Sequence, residues 1–148
     1  NGVTEPQATC SACFGAPFLP LHPTVYAELL AEKMKSYGAT LWLINTGWTG
    51  GPYGEGHRMR IDHTRAIVHA TLDGSLDNVE FEPFPIFGFE IPKACPEVPD
   101  QILNPRNTWK DPQAYDEKLK HLAQLFKDNF EKFKDNATQE IINAGPKV

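Results

Sequence analysis

Apolar residues recur every three or four positions in two long segments, which predicts two amphipathic helices. The first is expected to begin at Pro23, because the first helical turn does not use the N–H that proline lacks, and to stop at Gly38. One broad face of it carries Val25, Tyr26, Leu29, Leu30, Met34 and Tyr37. The second begins at Asp111-Pro112, a cap followed by a first-turn proline. Its apolar stripe is expected to form core: Tyr115, Leu119, Leu122, Phe126, Phe130 and Phe133.

Shorter patterns predict the remaining elements. Leu41–Ile44 is uniformly apolar, which is typical of a strand buried on both faces. A helix with a small apolar face is predicted over Arg65–Leu72, and a short one over Gln139–Asn143. Phe81–Ile91 alternates as edge-strand or hairpin material. Six of the thirteen prolines fall between positions 83 and 105, so that stretch is expected to be extended connection and not core.

Helices mixed with short strands indicate an α/β or mixed α+β fold, and 148 residues suit one domain or one lobe of a larger one. A hydrophobic fraction of 41% with 22% charged residues excludes wholesale disorder. The net charge of −5 disfavours nonspecific binding to nucleic acid or anionic lipid. No run approaches the ~18 apolar residues of a membrane span. The chain opens on polar residues without Met, and we interpret it as a piece of a longer protein, with no signal peptide.

The three cysteines allow more than one interpretation. Cys10 and Cys13 form a CxxC, which fits a redox pair or half of a zinc site. Zinc needs four ligands, and only Cys95 and five scattered histidines remain, without HxxxH spacing. We therefore favour buried, reduced thiols in a cytosolic protein over metal or redox chemistry.

A glycine-rich loop follows the apolar run, with five glycines in the twelve residues of positions 45–56. Such a loop either approaches a ligand closely or simply makes a turn. It is not a known phosphate cradle, because GxxxxGK[ST] is absent and Met59 stands where GxGxxG needs glycine. Trp48 beside it is more typical of packing than of stacking on a ligand.

The densest chemistry lies at positions 57–65, with three arginines and two histidines in nine residues. The cluster precedes a helix, where backbone N–H groups and the helix dipole favour anions, and guanidinium groups bind phosphate or stack on flat rings. Asp62 or Thr64 is predicted to cap this helix. The alternative is a solvated basic strand that pairs with local carboxylates. We find no catalytic triad, carboxylate pair or metal constellation in the sequence, so any enzyme using this chain keeps much of its catalytic equipment elsewhere.

Several motifs occur in one order along the chain: Cys10–Phe18, Leu21–Pro23, Asn45–Trp48, Arg58–Ile67, Gly74–Asn78, Asn104–Thr108 and Ala144–Pro146. Together they resemble the C-terminal part of the ATP-dependent phosphoenolpyruvate carboxykinase family, in its ATP-using class and not its GTP-using class. The resemblance runs nearly end to end.

The resemblance implies a parent enzyme of gluconeogenesis that converts oxaloacetate and ATP to phosphoenolpyruvate, ADP and carbon dioxide in the cytoplasm. Residues 1–148 are then the C-terminal part, or lobe, of its mononucleotide-binding domain, beginning at the end of the lid segment. The phosphate loop, the residues that bind Mg²⁺ and Mn²⁺, and the main oxaloacetate-binding arginine are expected in the remainder of the enzyme. No catalytic residue and no metal ligand is expected in this chain, which alone should be inactive.

The resemblance further implies that Arg58, Met59 and Thr64 contact ATP. Arg58 is expected to lie flat over the adenine ring, Met59 to offer a main-chain polar group and Thr64 a hydroxyl. The insertion-like residues 51–54 make the glycine loop longer than in many bacterial members. The alternative function is a stand-alone nucleotide-binding or structural module without catalysis.

Overall fold

A computed structural model describes residue 9 and residues 16–148, so that Cys10 and Cys13 lie outside the described residues. The described chain contains helices and two small antiparallel sheets, which confirms the mixed α+β fold class. It divides into two compact units. One comprises Asn1–Leu41 with Phe126–Gly145, and the other Trp42–Leu125 with Pro146–Val148.

Four α-helices and four short strands make up the regular structure of the described chain. The helices are α1 (Pro23–Tyr37), α2 (Ile61–Leu72), α3 (Pro112–Phe130) and α4 (Gln139–Asn143). The antiparallel ribbons are β1 (Trp48–Thr49) with β2 (His57–Arg58), and β3 (Phe81–Phe84) with β4 (Phe89–Pro92). Short 3₁₀ turns occur at Ala16–Phe18, Asp100–Ile102, Pro105–Thr108 and Lys134–Asn136.

Helix α1 begins and ends where the sequence predicts. The His22 ring caps its start, with Nδ1 accepting from the Thr24 N–H at 3.4 Å and lying 2.8 Å from the Thr24 hydroxyl. Gly38 ends it in the left-handed region, with φ 61°, and its N–H donates to the Met34 carbonyl. The predicted apolar face is correct in its spacing, but much of it is exposed, notably Val25, Leu29, Leu30 and Tyr37.

Helix α3 bears out only part of the predicted core stripe. Its cap is confirmed, because the Asp111 carboxylate accepts from the Gln113 N–H at 2.8 Å. The N-terminal half is buried, at Tyr115, Leu119 and the adjacent Ala123. Leu122 and Phe126 are about half exposed, so the prediction that the whole stripe forms core is wrong. The boundary between the two units falls within this helix, between Leu125 and Phe126.

The core of the second unit forms around Ala70, Leu76, Cys95 and Val98, all buried. Half-buried apolar side chains pack against it: Trp42, Ala66, Ile67, Val79, Ile102 and Leu103. The small apolar face predicted for α2 is therefore confirmed. Cys95 is a buried free thiol, as predicted, and burial raises its pKa.

The proline-rich segment contributes to this core, against prediction. An antiparallel bridge pairs Cys95 with Val98, and the Val98 N–H donates to the Cys95 carbonyl at 3.2 Å. Between them Glu97 takes φ 61°, an unusual conformation for a residue with a side chain. The turn points both Cys95 and Val98 inward, so prolines here set a tight turn under the core and not an exposed connection. The hairpin predicted over Phe81–Ile91 is confirmed by the β3–β4 ribbon.

The predicted strand at Leu41–Ile44 is not formed. The backbone has no ladder partner among the described residues, and a strand requires one. Trp42 packs towards the core, with its ring 6.1 Å from that of Phe81. Leu43 is 70% exposed, and Leu41 and Ile44 are also exposed. Of this run, only Trp42 therefore packs against the core, where burial on both faces was expected.

We predict that Leu76→Ala lowers the free energy of unfolding of the second unit far more than truncation of an exposed leucine does. Leu76 is only 2% exposed, so truncation leaves a cavity and should cost about 2–5 kcal/mol. Leu72 is 80% exposed and serves as the matched control, with little expected change for Leu72→Ala. Chemical denaturation of both variants measures the difference, and equal midpoints would contradict this assignment of the core.

Candidate functional site

The three candidate nucleotide-binding residues lie at the junction between the β1–β2 ribbon and helix α2. Trp48 pairs with Arg58 in the ribbon, and the Met59 N–H donates to the Gly47 carbonyl at 3.0 Å, one residue beyond it. The chain enters α2 at Ile61, which places Thr64 in the first turn. Arg58, Met59 and Thr64 thus belong to one continuous strand-to-helix connection.

The glycine-rich loop is a tight turn that packs on its own backbone. The N–H groups of Glu55 and Gly56 donate to the Pro52 carbonyl at 3.1 and 2.9 Å. A Cβ on Gly56 would lie 2.6 Å from the carbonyl oxygens of Gly51 and Thr49, so the close approach requires glycine. Of the two interpretations left open by the sequence, the turn is the one formed, because these amides are used within the loop.

Trp48 covers this turn, as the packing interpretation expects. Its indole N–H donates to the Pro52 carbonyl at 3.4 Å, and its ring lies 6.2 Å from the Tyr53 ring. A Cβ on Gly56 would approach the indole nitrogen to 2.5 Å. Although about half exposed, the side chain is held against the loop by these contacts.

Arg60 is committed to a neighbouring carboxylate. Its guanidinium donates to both oxygens of Asp62, with Nε to Oδ1 at 3.0 Å. This hydrogen bond is the main reason that the pKa of Asp62 is lowered to about 2. The predicted capping by Asp62 or Thr64 is wrong, because α2 begins at Ile61 and both residues lie inside its first turn. Arg60 occupies the N-cap position without a side-chain cap.

Arg58 differs from Arg60 in having no such partner. It is exposed at the end of the ribbon, and among the described residues no carboxylate forms an ion pair with it. The other close arginine pairs are Arg60 with Asp62 and Arg106 with Asp116. The interpretation as a basic strand neutralised by local carboxylates therefore describes Arg60 and not Arg58.

Met59 and Thr64 each use one polar group locally. The Met59 N–H is bonded to Gly47, so its carbonyl oxygen is the main-chain group that remains to meet a ligand. The Thr64 hydroxyl donates to the Arg60 carbonyl at 3.2 Å. A hydroxyl has one donor and two acceptor lone pairs, so Thr64 can still accept a hydrogen bond. Both side chains are half-buried.

Two open cavities in the described part of the chain lie elsewhere. One of about 170 Å³ is lined mainly by polar residues, including Glu82, Lys93 and Asn104. The other, of about 350 Å³, is lined by residues including Trp109 and His121. Neither includes a candidate nucleotide-binding residue. In residue 9 and residues 16–148, no three His, Cys, Asp or Glu side chains are grouped as metal ligands, and no helix is long and apolar enough to cross a membrane.

One supporting residue escaped the sequence reasoning. Thr108 ends the 3₁₀ turn Pro105–Thr108, and its hydroxyl oxygen accepts from the Gly50 N–H at 3.2 Å. In the sequence Thr108 is marked only by its place in the motif Asn104–Thr108. Nothing in that motif indicates a hydrogen bond to Gly50.

Comparison with known proteins relates this chain to a family of ATP-dependent enzymes. A family model described as phosphoenolpyruvate carboxykinase matches residues 1–101. Proteins named phosphoenolpyruvate carboxykinase (ATP) are similar over nearly the whole chain. Those of Caldanaerobacter subterraneus subsp. tengcongensis, Christiangramia forsetii and Thermus thermophilus are 58%, 56% and 53% identical over 99%, 98% and 100% of it. The chain belongs to the ATP-dependent phosphoenolpyruvate carboxykinase family, which confirms the resemblance seen in its motifs.

The chain spans 27–28% of the length of these relatives. Its sequence therefore corresponds to one portion of a family member.

We predict that Arg60→Gln returns the pKa of Asp62 from about 2 towards 3.8, because the guanidinium hydrogen bond is the largest cause of the shift. A carboxyl whose pKa is lowered on folding stabilises the protein above its ordinary pKa, and that contribution is lost as pH falls through the folded value. The Arg60–Asp62 contribution should therefore disappear between about pH 4 and pH 2. Carboxyl ¹³C NMR measures the titration.

Arg65→Gln is the matched control for this titration, since it removes a nearby positive charge that does not hold Asp62. A pKa of Asp62 that moves equally in both variants would show that general charge, and not the bidentate contact, sets it.

Proposed function

We propose that the intact protein to which this chain belongs converts oxaloacetate and ATP to phosphoenolpyruvate, ADP and carbon dioxide, a gluconeogenic reaction of the cytoplasm. The observation that carries the proposal is 53–58% identity, over 98–100% of the chain, to proteins named for this activity. Identity at this level across the whole chain makes retention of the family's reaction the simplest expectation.

We assign residues 1–148 to the C-terminal part of the mononucleotide-binding domain, beginning at the end of the lid segment. The phosphate loop, the oxaloacetate-binding arginine and the ligands of Mg²⁺ and Mn²⁺ then belong to the remaining polypeptide. The described residues do not fit a divalent metal, since they contain no group of three suitable ligands.

The role proposed for this chain is to hold the adenine and ribose of ATP. Arg58 is suited to lie over the adenine ring, because a guanidinium is flat and cationic and this one is not neutralised by a described carboxylate. Arg60 is unsuited to the same role, since withdrawing it from Asp62 would cost a bidentate pair.

Met59 and Thr64 would complete the contact with complementary polar groups. The Met59 carbonyl can accept from the amino group of adenine, since its N–H is already bonded to Gly47. The Thr64 hydroxyl oxygen can accept a hydrogen bond from a ribose hydroxyl while the Thr64 hydroxyl continues to donate to the Arg60 carbonyl. Binding the base and sugar in one orientation would aim the triphosphate at the reacting groups in the rest of the enzyme.

We predict that Arg58→Ala in the intact enzyme raises the KM for ATP on the order of tenfold, the loss of a partly desolvated cation–π contact. The KM for oxaloacetate should be about unchanged. Arg58→Lys should behave more like Arg58→Ala than like the parent, because lysine keeps the charge but cannot stack as a plane. Steady-state kinetics with each substrate varied separately measures this split.

Arg60→Gln is the matched control, as it removes one exposed arginine charge two residues away, and its KM for ATP should stay near the parent value. An unchanged KM for ATP in Arg58→Ala would remove the assignment. Equal increases in Arg58 and Arg60 variants would mean that net charge, and not stacking, is at work.

The exposed apolar side chains of Leu41–Ile44 support the proposal that this chain binds a partner, namely the remaining polypeptide of the same enzyme. Leu43 is 70% exposed within an apolar run in which Leu41 and Ile44 are exposed too and only Trp42 contacts the core. A contiguous exposed apolar patch of this kind marks a contact surface. We propose that the rest of the enzyme covers this run and supplies its missing strand partner.

We predict that the isolated 148-residue chain has no carboxykinase turnover and regains it only when mixed or co-expressed with the remaining polypeptide. Leu43→Glu should weaken that association, because it places a charge in the apolar contact. Leu72→Glu, at an exposed leucine beside the polar Thr71 and Asp73, is the control. Co-purification and activity assays report the outcome.

Turnover by the isolated chain would contradict this prediction. Saturable ATP binding by the isolated chain without turnover, and without response to the remaining polypeptide, would instead favour a stand-alone nucleotide-binding module.

A further inference from the structure

The 3₁₀ turn Pro105–Thr108 packs against the end of strand β1 through a single hydroxyl group. The Thr108 hydroxyl donates to the Pro105 carbonyl at 2.7 Å. Its oxygen accepts from the Gly50 N–H at 3.2 Å and from the Thr49 hydroxyl at 3.4 Å. One proton and two lone pairs are the full hydrogen-bonding capacity of a hydroxyl, and all three are used here.

The β1–β2 ribbon needs an external attachment of this kind. Each strand has only two residues, and a two-stranded ribbon is at best marginally stable by itself in water. Gly50 follows β1 directly and turns the chain with φ 79°, so its N–H fixes the point at which the ribbon opens into the loop. A bond at this N–H therefore restrains both the strand end and the turn.

The turn that carries Thr108 is itself anchored. Arg106 donates to both oxygens of Asp116 on helix α3, at 2.8 and 3.0 Å. The Asn104 side chain caps the turn by accepting from the Arg106 N–H at 3.1 Å. A bidentate arginine–carboxylate pair fixes orientation as well as distance. The hydroxyl thus joins the ribbon to a helix that is buried at Tyr115 and Leu119.

We propose that Thr108 is a positioning residue for nucleotide binding, acting through the ribbon on Arg58. Strand β1 ends at Thr49, the neighbour of Trp48, and Trp48 is the register partner of Arg58. Fixing Thr49 and Gly50 therefore fixes the backbone from which the Arg58 side chain extends. This inference rests on the proposed role of Arg58 in binding ATP.

The test uses the intact enzyme with Thr108→Val, which preserves the shape of the side chain and removes its hydroxyl. The KM for ATP should rise by about three- to tenfold, the loss expected for one net hydrogen bond. The kcat and the KM for oxaloacetate should stay near the parent values. Thr108→Ser keeps the hydroxyl and should restore the parent KM for ATP.

Thr71→Val is the matched control. Thr71 is also half-buried, and its hydroxyl donates to a backbone carbonyl, that of Val68, at 2.8 Å within α2. It makes the same kind of bond without contacting the ribbon, so a general loss of stability should appear equally in both valine variants. Thermal midpoints of both are compared with the kinetic result, and equal KM values for ATP in the two variants would overturn the proposal.

Two further measurements separate this inference from the proposed function. If Thr108 acts through Arg58, then Thr108→Val should add little to the KM change in an Arg58→Ala background, and fully additive effects would overturn the positioning role. Hydrogen exchange at the Gly50 amide should accelerate in Thr108→Val and not in Thr71→Val. An unchanged exchange rate at Gly50 in Thr108→Val would overturn the contact itself. An Arg58→Ala enzyme with an unchanged KM for ATP would overturn the nucleotide site and this inference together, while the exchange result would still report on the contact.

Discussion

The two backbone pairs of the β1–β2 ribbon hold the position of the whole candidate site. Arg58 lies on one of them, Met59 bonds to Gly47 just beyond, and α2 begins three residues after Arg58. So short a ladder contributes little stability by itself, and the ribbon keeps its shape because the loop packs on its own carbonyls and Thr108 fastens its end. The positions of the candidate site residues therefore depend on these few backbone contacts.

Local charge pairing then distinguishes two arginines that the sequence places side by side. Arg58 and Arg60 are both exposed and lie two positions apart, yet only Arg60 forms hydrogen bonds with Asp62. The bidentate pair engages the Arg60 guanidinium and the Asp62 carboxylate with each other. It also leaves Arg58 without a carboxylate partner among the described residues, and Arg58 is the residue to which the family resemblance gives a role in binding ATP.

Local sequence signals predicted both ends of α1 and the start of α3 well, because these ends are set by neighbours in the chain, whereas α2 begins four residues before the predicted Arg65. Gly38 and Asp111 act within a turn or two of themselves, and both perform as expected. The burial of Leu41–Ile44 and of the second half of the α3 stripe was predicted less well, since burial depends on distant segments. Leu43, Leu122 and Phe126 all keep substantial exposed surface. Thr108 could not be found from the sequence, because its partner Gly50 lies 58 residues away and a lone threonine carries no distinctive pattern.

The unequal crowding of the glycines determines where this loop can accept new chain. A Cβ at Gly56 would collide with backbone oxygens, whereas one at Gly54 would meet open solvent. Length differences between family members should therefore accumulate around Tyr53 and Gly54 and spare the stem. The same tip offers a place to insert a short peptide tag or attach a fluorophore, whereas a side chain at Gly56 in the stem would collide with the backbone.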